Sequence, residues 1–436
     1  MTLARIRHYM GLGVTRKFVA TFATRLLLLA LGLVNVVLTA RLLGPEGRGA
    51  LAVALTTVAL GVQLGCLGLP QANAYFAARD RRQLGAILGN ALAVSLVLGT
   101  TISLVSLVLG GFAPKAAPLS GPLLWVALLW IPVQLWFTML QSTMLGLDRL
   151  GEYNALDLWQ RGSFTVIVAL LLLTGHVSSL TVFTWAFVVF VPVCLWASVK
   201  LARACPSGLT LSRPMLTASL DYAYKIWLGN LSAFVVVNAD LMLVSAMRGT
   251  REAGWYSVDA SIASSVMFAI QAMSSALFPT LAEADSFEER WRVTRKALLA
   301  SLGVSAVLCG FAALLAPTVI RLLVGPAYLP AVEPLMWLLP GVVAYSACSV
   351  VSTAHAASEH TVLMIVPAIA VAALNVAMNL VLIPRYGITG AAATSSLTYT
   401  LWLLSALAYT AYYRRHHAAA MDARRGADRA SHSAAD

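Results

Sequence analysis

Long apolar blocks alternate with short charged or glycine- and proline-containing connectors along almost the whole chain. Each block is long enough to cross a bilayer as a helix, which takes roughly 20 residues. The pattern therefore predicts an all-α polytopic membrane protein with about 12 transmembrane helices. The fifth span is predicted to be short, with Arg161 near its start. The predicted spans are residues 18–43, 49–70, 84–112, 121–146, 158–175, 179–200, 223–247, 254–282, 297–324, 334–356, 361–383 and 388–413.

The basic residues are concentrated in every second connector. Of the 30 Lys and Arg residues, 23 lie in the N-terminal segment, the even-numbered connectors or the C-terminal tail, and seven lie on the other side. This count places Arg161 in the first group and Arg48 in the second. Cytoplasmic loops of membrane proteins carry the excess of Lys and Arg, so the bias predicts that both termini are cytoplasmic.

The composition supports a membrane protein and argues against most enzymes. Hydrophobic residues make up 59% of the chain and charged residues 11%, whereas a soluble domain has about 25% charged residues. The connectors average little more than about ten residues, which is too short for a catalytic domain. The net charge of +12 is explained by basic loops beside anionic lipid head groups, so no nucleic-acid partner is predicted.

No motif for cofactor or metal chemistry stands out. No lysine follows a glycine, so there is no Walker A loop, and there is no His-Glu-x-x-His sequence. The five cysteines are scattered without metal or redox spacing. The sequence therefore predicts no catalytic residue, no metal site and no cofactor.

The two sets of six spans resemble each other. A turn with glycines five residues apart, at 44–49 between the first two spans, has a counterpart at 249–254 between spans seven and eight. An even number of spans in each set gives both halves the same orientation, with a pathway between them. We expect an N-terminal six-helix lobe at 1–205, a C-terminal six-helix lobe at 206–413, and a disordered cytoplasmic tail at 414–436.

Four segments carry a resemblance to a known family. They are ARLLGPEGRG at 40–49, LFPTLA at 277–282, LVGPAYLPA at 323–331 and LIPRYGITGAA at 382–392. They resemble, in order, the signatures of the polysaccharide-unit flippases, with Val324 where phenylalanine is usual. These flippases form the polysaccharide branch of the multidrug, oligosaccharidyl-lipid and polysaccharide exporter superfamily.

The resemblance implies a protein of the bacterial inner membrane that is a transporter and not an enzyme. It would move a polyprenyl-diphosphate-linked oligosaccharide from the cytoplasmic to the outer leaflet, for surface polysaccharide biosynthesis. Two six-helix lobes, arranged as a V, would rock about a central cavity and open it to each side in turn. The implied partners are the lipid-linked glycan, membrane lipids, and a polysaccharide polymerase and glycosyltransferases.

Two other functions remain open on the sequence. The first is an ion-coupled small-molecule or drug antiporter of the same superfamily, from which the four segments point away. The second is a membrane glycosyltransferase or polysaccharide polymerase. Such enzymes usually need a sizeable outer loop or an acidic catalytic motif, whereas the outer connectors are short and their acids stand singly.

Arg25 is the first candidate for substrate binding. It lies about seven residues into the first span, roughly 10 Å from the cytoplasmic end. Its guanidinium is suited to pair with the lipid diphosphate. The alternative is that the side chain reaches back to the lipid head groups.

Asp240 and Asp259 are the candidates for coupling to protons or sodium ions, because acids at membrane depth are usually functional. The alternative is a structural hydrogen bond, to Asn238 or Tyr256. The family resemblance implies an arginine two residues before Asp240, where this chain has Asn238.

Amide side chains are the remaining candidates. Those on helices of the two halves that are expected to face each other would bind sugar hydroxyls. The alternative is that they join helices inside the bilayer. These residues are Asn35, Asn73, Asn238 and Gln271.

Overall fold

The computed structural model describes residues 12–112, 119–175, 177–205, 208–282, 287–356 and 365–433. This part of the chain is helical and contains no β-strand. The helices are α1 (Leu12–Gly65), α2 (Leu69–Arg79), α3 (Leu84–Phe112), α4 (Gly121–Gly146), α5 (Leu150–Thr174), α6 (Ser179–Ala202), α7 (Arg213–Arg248), α8 (Thr250–Ala282), α9 (Phe287–Val319), α10 (Val332–Ala356) and α11 (Ile365–Ser433).

The described helices provide twelve membrane crossings. Nine segments are long and apolar enough to cross a bilayer. Two of them, in α1 and α11, bend back on themselves and so cross twice. Helix α8 adds the twelfth crossing, since it returns the chain from the end of α7 to the start of α9. The predicted all-α fold with twelve spans is confirmed.

The two long helices turn at glycines. Gly44 has φ 63° and divides α1 into a first arm, residues 12–43, and a second arm, residues 45–65. Gly387 has φ 59° and divides α11 in the same way. Positive φ is accessible to glycine without the steric cost of a Cβ, so a reversal within one or two residues forms at these positions.

The crossings form two six-helix lobes, and we call them the N lobe and the C lobe. The N lobe comprises α1 to α6, and the C lobe comprises α7 to α11. The first and last described residues, Leu12 and Ser433, lie on one side of the twelve crossings, which we call the basic side. We call the other face the opposite side, and both glycine turns lie there.

Aromatic clusters fill the interior of each lobe. In the N lobe, Trp130 of α4 packs against three phenylalanines of α6 with tilted rings whose centroids are 5.0 to 5.8 Å apart. In the C lobe, Tyr345 of α10 contacts Tyr399 and Trp402 of α11. The packing within each lobe allows it to move as a unit.

The segment between the lobes is fixed to the N lobe on the basic side. The side chain of Asn90 exchanges two hydrogen bonds with the backbone of Ser212, at 2.8 and 3.0 Å. The indole of Trp227 donates to the carbonyl oxygen of Gln63 at 2.8 Å. The first turns of α7 therefore contact the N lobe, although the rest of α7 belongs to the C lobe.

The structure differs from the sequence prediction at several element boundaries. The fifth crossing, α5, begins at Leu150 and not near 158, because its first turns are helical but polar, so the apolar block that was used for the prediction starts later than the helix. The second crossing ends at Gly65, and α2 follows it as a separate helix.

The structure extends the last helix into the C-terminal tail. Helix α11 continues to Ser433, within the predicted disordered tail, which is rich in the helix formers Ala and Arg. The predicted lobe boundary adjoins residues 206–207, which lie outside the described residues. The same holds for the start of the predicted span 361–383 and for residues 434–436.

Candidate functional site

A cavity of about 430 Å³ lies between the two lobes. Its N-lobe wall comes from both arms of α1 and from α5, and its C-lobe wall comes from α7 and α8. None of the described lining residues is an aspartate or a glutamate. The polar lining residues are Arg48, Thr56, Arg161, Asn238, Ser257, Ser261, Ser264 and Ser265.

Three arginines occupy successive depths along the N-lobe side of this cavity. At 1.5 Å per helical residue, Arg25, Arg161 and Arg48 lie about 27, 20 and 5 Å from the opposite side. Arg161 and Arg48 line the cavity, and Arg25 lies at its end nearer the basic side. Positive charges lining a low-dielectric cleft attract anions, so the cavity is suited to an anionic ligand.

Arg25 points towards the space between the lobes. Its guanidinium donates to the Tyr153 hydroxyl at 3.3 Å and to Asp157 at 3.5 Å, both on α5. Its Cζ lies 5.9 Å from the ring centroid of Phe268, a cavity residue of the C lobe. About a third of the side chain is exposed, so the guanidinium remains accessible to a ligand.

Asp157 is held in place by a second partner. The side chain of Gln141 donates to its free oxygen Oδ1 at 2.8 Å. The carboxylate therefore remains beside Arg25 at a distance of 3.5 Å, longer than a close charge-assisted hydrogen bond. Such a contact restrains the arginine without fully neutralising it.

Arg48 lies at the end of the cavity nearest the opposite side and is 8% exposed. Its Nη1 donates to the Thr39 hydroxyl at 3.3 Å. Its Nε has no hydrogen-bond partner among the described residues. A buried guanidinium normally uses its donors, so Arg48 retains unused capacity to bind an anion.

The C-lobe wall of the cavity carries hydroxyl groups. Ser257, Ser261 and Ser265 lie one turn apart on α8, and each donates to a backbone carbonyl three or four residues earlier, at 2.6 to 2.8 Å. A hydroxyl that donates in this way still has lone pairs to accept hydrogen bonds. The wall therefore presents acceptors at the spacing of a helical turn.

The predicted amide residues do not form one cluster. Asn238 lines the cavity, and its Nδ2 donates to the carbonyl oxygen of Phe234 at 3.0 Å. Asn35 is half-buried on the first arm of α1 and does not line the cavity. Asn73 is buried inside the N lobe, with its Nδ2 3.6 Å from the sulfur of Met139.

Gln271 lies in a different place. It lines a second cavity of about 370 Å³ inside the C lobe, formed by α7, α8, α10 and α11. Of the five residues predicted to bind substrate, the structure thus places Arg25 and Asn238 at the cavity between the lobes. The other three lie apart from it.

Asp240 is buried in the C lobe, at 2% exposure. Its Oδ2 accepts a hydrogen bond from the Tyr256 hydroxyl and another from Ser395 at 2.9 Å. Its Oδ1 accepts from the backbone N–H of Leu241 at 2.8 Å. Of the two partners considered from the sequence, Tyr256 is present, whereas Asn238 bonds elsewhere.

Helix α11, which contains Ser395, also carries a chain of hydrogen-bonded polar side chains. Thr398 lies one turn beyond Ser395 and accepts from Asn375 at 3.0 Å. Asn375 in turn accepts from Asn379 at 3.0 Å. The Oδ1 of Asn379 is buried and has no partner among the described residues. The C lobe therefore contains buried oxygen ligands of the kind that a hard cation or a proton requires.

Asp259 lies elsewhere on α8 and is fully buried. Neither of its carboxyl oxygens has a hydrogen-bond partner among the described residues. An ionised carboxylate without a partner at this depth is very costly. The side chain therefore needs a proton or a cation.

The lobes touch on the opposite side. A Cβ at Gly49 would overlap the carbonyl oxygen of Thr250, and a Cβ at Gly254 would overlap that of Pro45. The guanidinium of Arg41 donates from Nε to the carbonyl oxygen of Leu323 at 2.6 Å. The cavity is therefore closed at this end by backbone-to-backbone contact.

Sequence reasoning missed Arg48 and Arg161 as cavity residues, because it assigned both to connectors. Arg161 lies eleven residues into α5, and Arg48 lies just after the Gly44 turn. A signal for Arg48 was present, since it is followed directly by an uninterrupted apolar helix. A charge in that position must either leave the membrane or face a cavity.

The backbone is similar to those of several solved transporters. A structure described as an inward-facing conformation of a multidrug resistance MATE family transporter of the MOP superfamily superposes with a TM-score of 0.72 at 15% identity, over 88% of this chain and 94% of that one. An outward-facing conformation of such a transporter gives 0.61 at 15% identity, over 90% and 94%. MATE in a bent conformation gives 0.59 at 16% identity, over 92% and 95%.

No curated protein matches the sequence. The sequence pattern of a family described as "polysaccharide biosynthesis protein" matches residues 14–285, which is well over half of the chain. This match covers the N lobe and the cavity residues of α7 and α8. With its two six-helix lobes in the arrangement of the MATE transporters, the chain belongs to the polysaccharide biosynthesis protein family.

Proposed function

We propose that this protein is a flippase for lipid-linked oligosaccharides. It carries polyprenyl-diphosphate-linked repeat units from the cytoplasmic to the outer leaflet of the bacterial inner membrane, for surface polysaccharide biosynthesis. It works by alternating access and performs no covalent chemistry. Its functional partners are the glycosyltransferases that build the unit and the polymerase that joins the units.

The observation that carries the proposal is the charge of the cavity between the lobes. Arg48 and Arg161 line it, Arg25 lies at its end nearer the basic side, and none of its described lining residues is acidic. A diphosphate that leaves water needs positive counter-charges, because an unpaired buried charge costs several kcal/mol. The arginines supply these charges. Asn238 and the α8 serines offer partners for the sugar hydroxyls that follow.

The excess of basic residues on the side of the termini favours a cytoplasmic location for that side. The contact of the lobes on the opposite side then closes the cavity towards the outside. The higher TM-score with the inward-facing MATE transporter than with the outward-facing one agrees with this assignment. We therefore assign the structure to the inward-facing state, in which Arg25 is the first cation that a diphosphate meets.

Ion coupling is assigned to the buried acids of the C lobe, Asp240 and Asp259. A proton or sodium ion at Asp240 would alter the hydrogen bonds that link α7, α8 and α11. Asp259 has no partner in the described structure to compensate its charge. Uptake and release of a cation at these positions would bend the C lobe and so bias the two states of the cavity.

A multidrug antiporter is the second candidate, since the similar structures are described as multidrug transporters. Many exported drugs are cations, and the two arginines that line this cavity, with Arg25 at its end, would repel them. A membrane glycosyltransferase or polymerase is the third candidate. It would need a catalytic acid in the cavity, and the described lining residues include none.

A deletion strain separates these functions. We expect loss of one surface glycan and accumulation of its complete lipid-linked repeat unit. Accumulation of a truncated unit would indicate a glycosyltransferase, and accumulation of transported but unpolymerised units would indicate a polymerase. Unchanged glycan with increased sensitivity to drugs would indicate the antiporter.

A further inference from the structure

The end of the cavity nearest the opposite side holds a cation without a counter-charge. Arg48 is more than nine-tenths buried, and its Nε has no partner among the described residues. Its one hydrogen bond to a side chain is neutral, from Nη1 to the Thr39 hydroxyl at 3.3 Å. Because burial of an uncompensated charge is costly, such a side chain is expected to have a ligand.

No acid of the described chain supplies this charge. Glu46 is exposed on the turn before α1 re-enters the membrane. Glu252 on α8 is bonded to Arg248 at 3.0 Å. Asp240 is engaged by Tyr256 and Ser395. None of the described ion pairs includes Arg48, so within the described chain its guanidinium lacks a counter-charge, and an anionic ligand would supply one.

The depth of Arg48 limits what that ligand is. Arg48 and Arg25 lie at opposite ends of the cavity, about 20 Å apart along the helix axes. In a polyprenyl-diphosphate glycan the diphosphate is joined to the lipid chain, which stays in its leaflet. When the diphosphate is at Arg25, Arg48 therefore meets the glycan.

We propose that Arg48 forms a binding subsite for an acidic group on the glycan, such as the carboxylate of a uronic acid. The subsite rests on the proposed function and narrows its substrate class to acidic repeat units. Thr39 orients the guanidinium of Arg48 from the N lobe. Ser257 of the C lobe also lines the cavity and offers its hydroxyl to the same ligand. An acidic sugar held there contacts both lobes.

Binding to the full-length protein in lipid nanodiscs tests the subsite. The probes are a hyaluronan tetrasaccharide, which contains glucuronate, and chitotetraose, which is neutral. A charge-assisted hydrogen bond makes the wild type bind the acidic probe at least about tenfold more tightly. Arg48→Gln reduces this ratio to about one, and Arg48→Lys keeps part of it because the charge remains.

A second variant and a third probe complete the test. If Arg48→Gln does not fold, Thr39→Val takes its place; it leaves the charge but removes the orienting hydroxyl, and so reduces the ratio. Inorganic pyrophosphate is the third probe, and Arg25→Ala weakens its binding more than Arg48→Gln does. Pyrophosphate binding that depends on neither arginine removes the diphosphate position at Arg25 and leaves the acidic-sugar subsite standing.

Two results would overturn the subsite. One is a wild type that does not prefer the acidic tetrasaccharide, or a preference that survives in Arg48→Gln. The other is pyrophosphate binding that depends on Arg48 and not on Arg25, since the diphosphate would then occupy the inner end of the cavity.

Discussion

The hydroxyl of Tyr328 donates a hydrogen bond of 3.1 Å to the carbonyl oxygen of Ala40, although 288 residues separate them in the chain. Both residues belong to segments that carry the family resemblance, and Arg41 next to Ala40 bonds to Leu323 in the same region. These two segments therefore join the lobes on the opposite side. Their sequences are explained by closure of the cavity at that end.

The glycines of this contact give the first prediction. A Cβ at Gly49 would overlap the carbonyl oxygen of Thr250, so Gly49→Ala should prevent full closure on the opposite side. We expect loss of glycan export at a normal protein level. Spin labels at the exposed positions Glu46 and Arg251 should report a longer distance between the lobes.

Gly303→Ala is the matched control, because a Cβ there has no neighbour within 4 Å. It should export glycan as the wild type does. Wild-type export and an unchanged distance in Gly49→Ala would show that closure does not depend on this contact.

The hydrophobic pattern was sufficient to predict the twelve crossings, because each helix in a bilayer must satisfy its own backbone and present apolar side chains. It could not predict which face of each helix meets the cavity. Asp157 and Arg161 lie one turn apart on the same face of α5, where Arg161 lines the cavity and Asp157 bonds to Arg25. That this face is turned towards α1 and the cavity depends on the rotation of α5, which is set by packing against residues more than a hundred positions away in the chain.

The polar residues of the spans show the same limit. Asn73 is a buried amide and Asp240 a buried acid. The side chain of Asn73 makes a hydrogen-bond contact only with the sulfur of Met139 in the described structure, whereas Asp240 accepts hydrogen bonds from Tyr256 and Ser395. Tyr256 lies 16 residues after Asp240, beyond the connection between α7 and α8, and could be predicted as its partner. Ser395 lies 155 residues away and could not be.

Arg25 gives the second prediction. If it binds the diphosphate, Arg25→Ala should insert and fold normally but reduce export about ten- to a hundredfold, the effect of losing a charge-assisted hydrogen bond. Arg25→Lys should retain partial export, because the charge remains while the two-pronged geometry is lost. Export is measured as surface glycan in the complemented deletion strain.

Arg203→Ala is the control for Arg25, since this arginine is exposed on the basic side. Normal surface glycan in Arg25→Ala, at the wild-type protein level, would mean that Arg25 only anchors the helix at the lipid head groups.

The buried acids of the C lobe give the third prediction. Asp240→Asn or Asp259→Asn should abolish the dependence of transport on a proton or sodium gradient, because an amide cannot take up and release a cation in the same way. Transport is measured in vesicles with each gradient imposed in turn. Asp221→Asn, an exposed acid at the start of α7, should leave the dependence unchanged. Gradient-driven transport in the double variant of Asp240 and Asp259 would remove both from the mechanism.

The orientation in the membrane gives the fourth prediction. A reporter that is active only outside the cytoplasm should be silent when fused after Arg82 and active when fused after Ser120, since α3 separates these positions. The reason is the concentration of basic residues on the side of Arg82. Activity after Arg82 and silence after Ser120 would reverse the assignment of the sides, and the structure would then be outward-facing.

Reconstitution of the purified protein tests the flippase function most directly. Proteoliposomes that contain a labelled polyprenyl-diphosphate oligosaccharide are treated with a glycosidase that acts only on the outer leaflet. The fraction of glycan that becomes accessible is compared with that in protein-free liposomes and with that obtained with Arg25→Ala. We predict that the wild type makes glycan from the inner leaflet accessible and that Arg25→Ala does so far more slowly. An accessible fraction equal to that of protein-free liposomes would contradict the proposed function.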